Sequence, residues 1–153
     1  MAPMLEGARQ GGETPTSKVS QTAYVSTIYA LAAAIDARDH FTYGHSQKVA
    51  RYAVALGKAV ELSDDELGNL RAAALLHDIG KIGIPDHILR KKRQLSSLER
   101  DEIKKHPMIA QTILGHVMAL APLLPAIIHH HEAYNGTGYP SGLVADDIPL
   151  AAR

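Results

Sequence analysis

Histidine and carboxylate side chains that can bind a metal recur along this chain, and histidine makes up nine of its 153 residues, more than an ordinary domain carries. The candidates are His45, His77, Asp78, His106 and the triplet at 129–131. Imidazole and carboxylate groups together form the ligand set of borderline divalent metals such as Fe, Mn and Zn. A metal with open coordination positions activates water at neutral pH and holds phosphoryl oxygens. The residue types therefore indicate metal-dependent hydrolysis, provided that the fold brings them together.

The adjacent pair His77 and Asp78 carries the strongest signal. It follows the apolar run 72–76, which should be buried, and burying two ionisable neighbours is costly unless something pairs them. A metal would pair them, although adjacency alone leaves an ordinary packed pair equally acceptable. The chain has no cysteine, so thiolate metal sites and disulfides are excluded.

These residues punctuate segments with helical periodicity. Apolar residues recur at three- and four-residue steps over 25–35 and 49–60, and Ser-x-x-Glu capping boxes begin further helices at Ser63 and Ser96. The segment 123–131 forms one more helix, and no alternating strand pattern occurs. The sequence therefore predicts an all-α domain of about five to seven helices.

Composition limits the class of protein. Lys plus Arg and Asp plus Glu each number 16, so the zero formal charge argues against a binder of nucleic-acid polymers. Residues 1–18 are rich in Gly, Pro, Thr and Gln and are interpreted as a flexible tail or linker, with one domain over 19–153. No apolar run is long enough for a membrane span and no signal peptide follows the first methionine, which predicts a cytoplasmic protein.

Several motifs together resemble one known family. The segment 77–85, HDIGKIGIP, resembles the signature of the HD phosphohydrolase superfamily. With His106 and the HHE sequence at 130–132 that leads to GYP at 138–140, the chain is similar to the HD-GYP subfamily over 20–153. The resemblance implies an HD-domain helical bundle that takes part in bacterial signalling. It also implies that the domain hydrolyses cyclic di-GMP to pGpG, GMP or both at a divalent metal cluster.

The resemblance also implies roles for individual residues. The expected metal ligands are His45, His77, Asp78, His106, His130 and His131. Asp78 matches a bridging carboxylate and is expected to be catalytic together with Lys81, which matches a lysine that contacts the scissile phosphate. Gly138, Tyr139 and Pro140 match the substrate-binding namesake motif, which also contacts partner domains. The expected metal is Fe or Mn, with Zn, Mg and Ni as alternatives.

Elementary geometry refines the expectations for the last segment. Successive helical residues turn by about 100°, so the triplet 129–131 cannot face one point, and His129 is expected outside the ligand set. Glu132 is expected to orient a histidine or the following loop rather than to bind metal. The ring of Tyr139 is a candidate for stacking on a guanine base.

Two departures from the family pattern keep alternatives open. Some relatives have a glutamate ligand for a third metal where this chain has Phe41, so at most two ions are expected. The family pattern continues beyond Arg153 with an aspartate ligand and basic substrate-binding residues, so the C-terminal helices are expected to be missing and an apolar face exposed. A non-catalytic module that binds a diguanylate cyclase or receiver domain, another HD-type nucleotide phosphohydrolase, and homodimerisation all stay open.

Overall fold

The chain folds as a helical domain in the computed structural model, which describes residues 15–38 and 44–153. Its α-helices are α1 Pro15–Arg38, α2 His45–Ala59, α3 Asp64–Leu76, α4 Asp86–Leu89, α5 Ser97–Ile103, α6 His106–Leu114 and α7 Leu124–His129. Four 3-10 helices connect or follow them, at Ile79–Gly83, Met118–Leu123, Ala145–Asp147 and Leu150–Ala152. The described residues form no strand, only an isolated bridge between Asn135 and Val144. The predicted all-α class is confirmed.

The helix ends follow from local sequence. The hydroxyls of Ser63 and Ser96 accept hydrogen bonds from the N–H groups of Glu66 and Glu99, and each glutamate carboxylate accepts the serine N–H in return. Both predicted capping boxes are confirmed, and each stabilises its helix by about 1 kcal/mol. Pro107 lies in the first turn of α6, where its missing N–H needs no partner.

Helix α3 is the centre of the domain and packs against α1, α2 and α7. Its segment 72–76 is buried throughout, with Leu76 fully enclosed. A helix that is covered on several sides is apolar all round rather than along one stripe, which explains its continuous apolar run. The following pair, His77 and Asp78, therefore emerges in the interior of the domain.

One face of α2 lacks a covering element among the described residues. Tyr52, Leu56 and Val60 are 70%, 69% and 60% exposed, as expected for an apolar face left open. They line a groove of about 580 Å³ that is also lined by His77 and His130. Among the described helices, none combines the length and hydropathy that a bilayer crossing requires.

The predicted tail falls largely outside the region the structure covers. Residues 1–14 are not among the described residues, and α1 begins at Pro15. Along α1, Ile28, Ala32 and Ile35 are buried, whereas Val25 is exposed. The buried positions recur at three- and four-residue steps, as the sequence periodicity predicts.

Candidate metal centre

The side chains expected to bind metal lie together although they come from distant parts of the sequence. The first group consists of Asp78, His106, His130 and His131, whose ligand atoms all lie within 4.8 Å of one another. The second group consists of His45, His77 and Asp78, which meet the same limit. Asp78 belongs to both groups. The helix ends bring these groups together: α2 and α6 begin with a histidine, and α3 and α7 end just before the others.

Asp78 lies between the two groups, and its two carboxylate oxygens face different partners. Oδ2 is 3.2 Å from His77 Nε2 and 2.9 Å from Lys81 Nζ. Oδ1 is 3.5 Å from His106 Nε2. The carboxylate of Asp78 therefore contributes an oxygen to each of the two candidate ligand groups.

Three histidines are held in one tautomer by the backbone. His77, His106 and His130 each have Nδ1 at 2.8, 2.8 and 2.7 Å, respectively, from the carbonyl oxygen three residues earlier. A carbonyl only accepts, so Nδ1 carries the proton and donates it. In the neutral rings of His106 and His130, Nε2 is then an unprotonated lone pair, which is the state that a metal requires. Nε2 of His77 faces Asp78 instead and donates to it when the ring is protonated.

The lone pairs of His106 and His130 face one another, and this arrangement bears on whether a metal ion would fit between them. Nε2 of His106 lies 3.3 Å from Nε2 of His130. Two acceptors at this distance repel each other unless a proton or a cation lies between or beside them. The ring of His131 lies beside both, with its centroid 5.1 Å from that of His106 and 4.1 Å from that of His130. The residues present therefore fit a divalent cation.

The pKa values of the same histidines favour the metal-binding form. Burial, with a smaller contribution from neighbouring histidines, lowers the pKa of His130 to about 3 and that of His131 to about 4. Burial also lowers the pKa of His106. These rings are neutral at pH 7, so a metal would not have to displace protons from them.

Charge pairing sets the pKa values of Asp78 and His77. Burial opposes ionisation of Asp78, but the hydrogen bond and charge of His77 and the Lys81 ammonium outweigh it and lower the pKa of Asp78 far below its usual range. Burial would likewise lower the pKa of His77, but the hydrogen bond and charge of Asp78 raise it. Asp78 is therefore an anion at every physiological pH.

The loop after α7 is organised by the buried carboxylate of Glu132. Its Oε1 accepts the N–H of Ser141 at 2.8 Å, and its Oε2 accepts the N–H of Leu143 at 3.1 Å. Gly138 packs so closely that a Cβ there would lie 2.2 Å from the backbone nitrogen of Ala133. Glu132 thus holds the loop, as expected. The packing requires glycine at position 138 for steric reasons.

Tyr139, the central residue of the namesake motif, lies against the histidine cluster. The ring of Tyr139 stacks on His131 with centroids 4.7 Å apart and an interplanar angle of 22°, and Lys104 Nζ lies 5.8 Å from the tyrosine centroid. Burial raises the pKa of Tyr139 to about 12. Pro140 follows through a cis peptide bond. One face of the tyrosine ring is therefore occupied by a histidine instead of being open to a guanine base.

One histidine of the triplet lies outside the cluster, and one departure from the family pattern lies outside the described residues. His129 lies outside both groups, and its Nδ1 is 3.4 Å from Glu132 Oε1, as the turn per residue predicts. Phe41, on which the expectation of at most two ions depends, lies outside the described residues.

Sequence reasoning missed one structural requirement of the site, Gly80. A Cβ at this position would lie 1.7 Å from the carbonyl oxygen of His106. The 3-10 helix Ile79–Gly83 therefore packs directly on the start of α6, which sets the distance between Asp78 and His106. The sequence has no local signal for this contact, because its partner, His106, is 26 residues away.

Comparison with known proteins agrees with this architecture. A protein-family model for the HD domain matches residues 30–153. The chain belongs to the HD domain family. This HD domain is 39% identical over 129 residues to the cyclic di-GMP phosphodiesterase response regulator RpfG of Xanthomonas campestris, a match that covers 83% of the chain and 34% of that protein.

Two further relatives are named for different substrates. The HD domain is 40% identical over 116 residues to the cyclic di-GMP phosphodiesterase PA4108 of Pseudomonas aeruginosa, covering 75% of the chain and 28% of that protein. It is 37% identical over 132 residues to the 3'3'-cGAMP-specific phosphodiesterase 3 of Vibrio cholerae, covering 86% of the chain and 29% of that protein. The chain spans about a third of the length of the curated relatives it matches.

Proposed function

We propose that this HD domain is a metal-dependent phosphodiesterase that hydrolyses cyclic di-GMP to pGpG, GMP or both. The observation that carries the proposal is the placement of Asp78 between two histidine groups, with Lys81 Nζ 2.9 Å from its Oδ2. The substrate is inferred from two relatives that are named cyclic di-GMP phosphodiesterases.

The chain would hold two divalent ions, which Asp78 would share. One ion would be bound by His45, His77 and Asp78, and the other by Asp78, His106, His130 and His131. Fe or Mn is the expected metal, and Zn, Mg or Ni are alternatives. When bound, such ions supply Lewis acidity toward phosphoryl oxygens and lower the pKa of water.

The protein's own groups prepare the site for a phosphodiester. The Lys81 ammonium lies at the edge of the cluster and offsets the negative charge that an entering phosphodiester brings. Asp78 stays ionised and balances the positive charge of the cluster. The stack of Tyr139 on His131 holds that ring in place and covers it from solvent on one side.

A second substrate has a specific observation in its favour. The identity to the 3'3'-cGAMP-specific phosphodiesterase 3 is 37%, close to that with the cyclic di-GMP enzymes. Hydrolysis of a mixed cyclic dinucleotide is therefore the second candidate function, beside hydrolysis of cyclic di-GMP. A non-catalytic role, in which the loop binds a diguanylate cyclase or receiver domain, is the third candidate, and the exposed Tyr134 ring on this loop favours it.

The test is turnover with a parallel measurement of bound metal. The chain is purified without oxygen, loaded with Fe(II) or Mn(II), and incubated with cyclic di-GMP, 3'3'-cGAMP or pGpG beside its Asp78→Ala variant. We expect cyclic di-GMP to be cleaved fastest, with loss of both metal and turnover in the variant. Metal binding without cleavage of any of the three nucleotides would contradict the phosphodiesterase proposal and favour the non-catalytic role.

A further inference from the structure

The last turn of α1 carries a charged residue that none of the roles above uses. Arg38 donates from Nη1 to the carbonyl oxygen of Lys81 at 2.7 Å. From Nη2 it donates to the carbonyl oxygen of Ile84 at 2.7 Å and to Oδ1 of Asp86 at 2.9 Å. The guanidinium is half-buried, so these bonds are partly shielded from water.

The acceptors of Arg38 show what it holds. Lys81 belongs to the 3-10 helix Ile79–Gly83, and Ile84 is the residue that ends it. The planar fork of a guanidinium donates to both carbonyls at once, which a lysine ammonium cannot do with the same geometry. Arg38 therefore fixes the backbone from which the Lys81 side chain reaches Asp78.

A second residue on the same helical turn holds the opposite side of the site. Asp36 Oδ1 accepts the hydroxyl proton of Ser46 at 2.7 Å, and both side chains are buried. Ser46 follows His45 directly at the start of α2. The bond therefore fixes the helix start from which His45 reaches His77, with ring centroids 5.5 Å apart.

We propose that the last turn of α1 is the positioning element of the metal centre, with Arg38 acting through Lys81 and Asp36 acting through His45. The inference rests on the proposed phosphodiesterase function and assigns the two residues different roles in it. Arg38 affects turnover because it places the ammonium that faces the phosphate. Asp36 affects metal retention because it places a ligand.

The first test is a double-mutant cycle on the metal-loaded chain with cyclic di-GMP as substrate. A charge misplaced by about 1 Å costs up to about 100-fold in rate, and Arg38→Gln is expected to lower kcat about 10-fold with KM and bound metal unchanged. In a Lys81→Met background the same substitution should have no further effect, since the group it positions is gone. If the double variant instead lost kcat by the product of the two single-variant losses, the proposal would be overturned.

Two conservative variants separate positioning from general loss of structure. Asp36→Ala is expected to lower the metal bound per chain, and Asp36→Asn to restore it, because the amide oxygen still accepts the Ser46 hydroxyl. Arg51→Gln removes an exposed arginine from α2 and is the matched control, with turnover and metal unchanged. Equal metal loss in the Ala and Asn variants at position 36 would contradict the role of this hydrogen bond.

The last measurement needs no activity and so distinguishes failure of this inference from failure of the proposed function. Hydrogen exchange of the amides at 79–84 is followed in the metal-free protein. Arg38→Gln should speed exchange there about 10-fold relative to Arg51→Gln, because the carbonyl anchors of the turn are lost. Unchanged exchange in the Arg38→Gln variant overturns the positioning role, whether or not the wild-type chain cleaves a cyclic dinucleotide.

Discussion

At the scale of single residues, the site depends on one carboxylate shared by two histidine groups. Asp78→Asn keeps the size and one acceptor oxygen of the side chain but removes the negative charge that would balance bound metal. We expect the substitution to weaken Mn(II) binding about 100-fold or more, since ligand charge dominates affinity in such sites. Titration calorimetry with Mn(II) measures the effect. Glu99→Gln, which alters a carboxylate paired with Lys91 instead, serves as the control and should bind Mn(II) like the wild type.

Tyr139 is a second residue whose role the geometry makes testable. From its stack on His131 we propose that the ring supports a candidate metal ligand. Tyr139→Phe keeps the stack and should leave metal affinity and KM unchanged, whereas Tyr139→Ala should weaken Mn(II) binding about 10-fold, as is typical for loss of a group that orients a ligand. A raised KM with unchanged metal binding in Tyr139→Ala would instead favour stacking on guanine.

At the scale of elements, the packing of the 3-10 helix on α6 sets the spacing of the site. A Cβ at Gly80 would overlap the carbonyl oxygen of His106, so Gly80→Ala must push the two elements apart. We expect a loss of about 3 kcal/mol in the free energy of unfolding, measured by urea denaturation. Gly68→Ala is the matched control: no atom lies within 4 Å of a Cβ there, and alanine should stabilise α3 by about 0.5–1 kcal/mol. Equal stability of the two variants would refute the packing argument.

The same scale shows what the sequence could and could not predict. The capping boxes at Ser63 and Ser96 and the helix that starts near Pro107 were predictable because their signals lie within one turn of chain. The bounds of the single-turn helix Asp86–Leu89 and of the 3-10 helix before it were not predictable, since short elements have no periodicity to detect. The last helix was predicted to end at residue 131, two residues beyond its observed end at His129.

Prediction of the site divides along similar lines. The six ligand candidates were identified from motifs whose order and spacing match a family, and the structure brings all six together. The contacts of Arg38 and Gly80 were not predictable, because each depends on a partner that only the tertiary fold brings close. The stack of Tyr139 on His131 was not predictable either, because an aromatic residue in a loop does not show which ring it will contact.

At the scale of the whole molecule, the metal centre is the point where the helices meet. Ligand candidates come from the ends of α2, α3, α6 and α7, so bound metal would link α3 with the other three helices. An ion that binds only the folded chain stabilises it by about 2.7 kcal/mol at 100 times its Kd. Folding and metal binding are therefore expected to be thermodynamically coupled in this domain.

The metal-free domain should lose stability on acidification. The pKa values of His130 and His131, about 3 and about 4, lie below the ordinary value of 6.5, so the unfolded chain binds more protons than the folded one below pH 6.5. Their contribution to stability is fully present above that pH and is lost as the pH falls toward 4. His77, whose pKa is raised, contributes with the opposite sign: its stabilisation is present below pH 6.5 and is lost as the pH rises through its folded pKa.

Because two strongly lowered histidines oppose one raised histidine, we expect the net free energy of unfolding to be lower at pH 5 than at pH 7. Urea denaturation of the metal-free chain at the two pH values measures the difference. His130→Gln removes one half-buried titrating ring and should reduce the pH dependence, whereas His87→Gln alters an exposed histidine on α4 and should not. If stability rose between pH 7 and pH 5 in the wild-type chain, the His77–Asp78 pair would outweigh the histidines near α7.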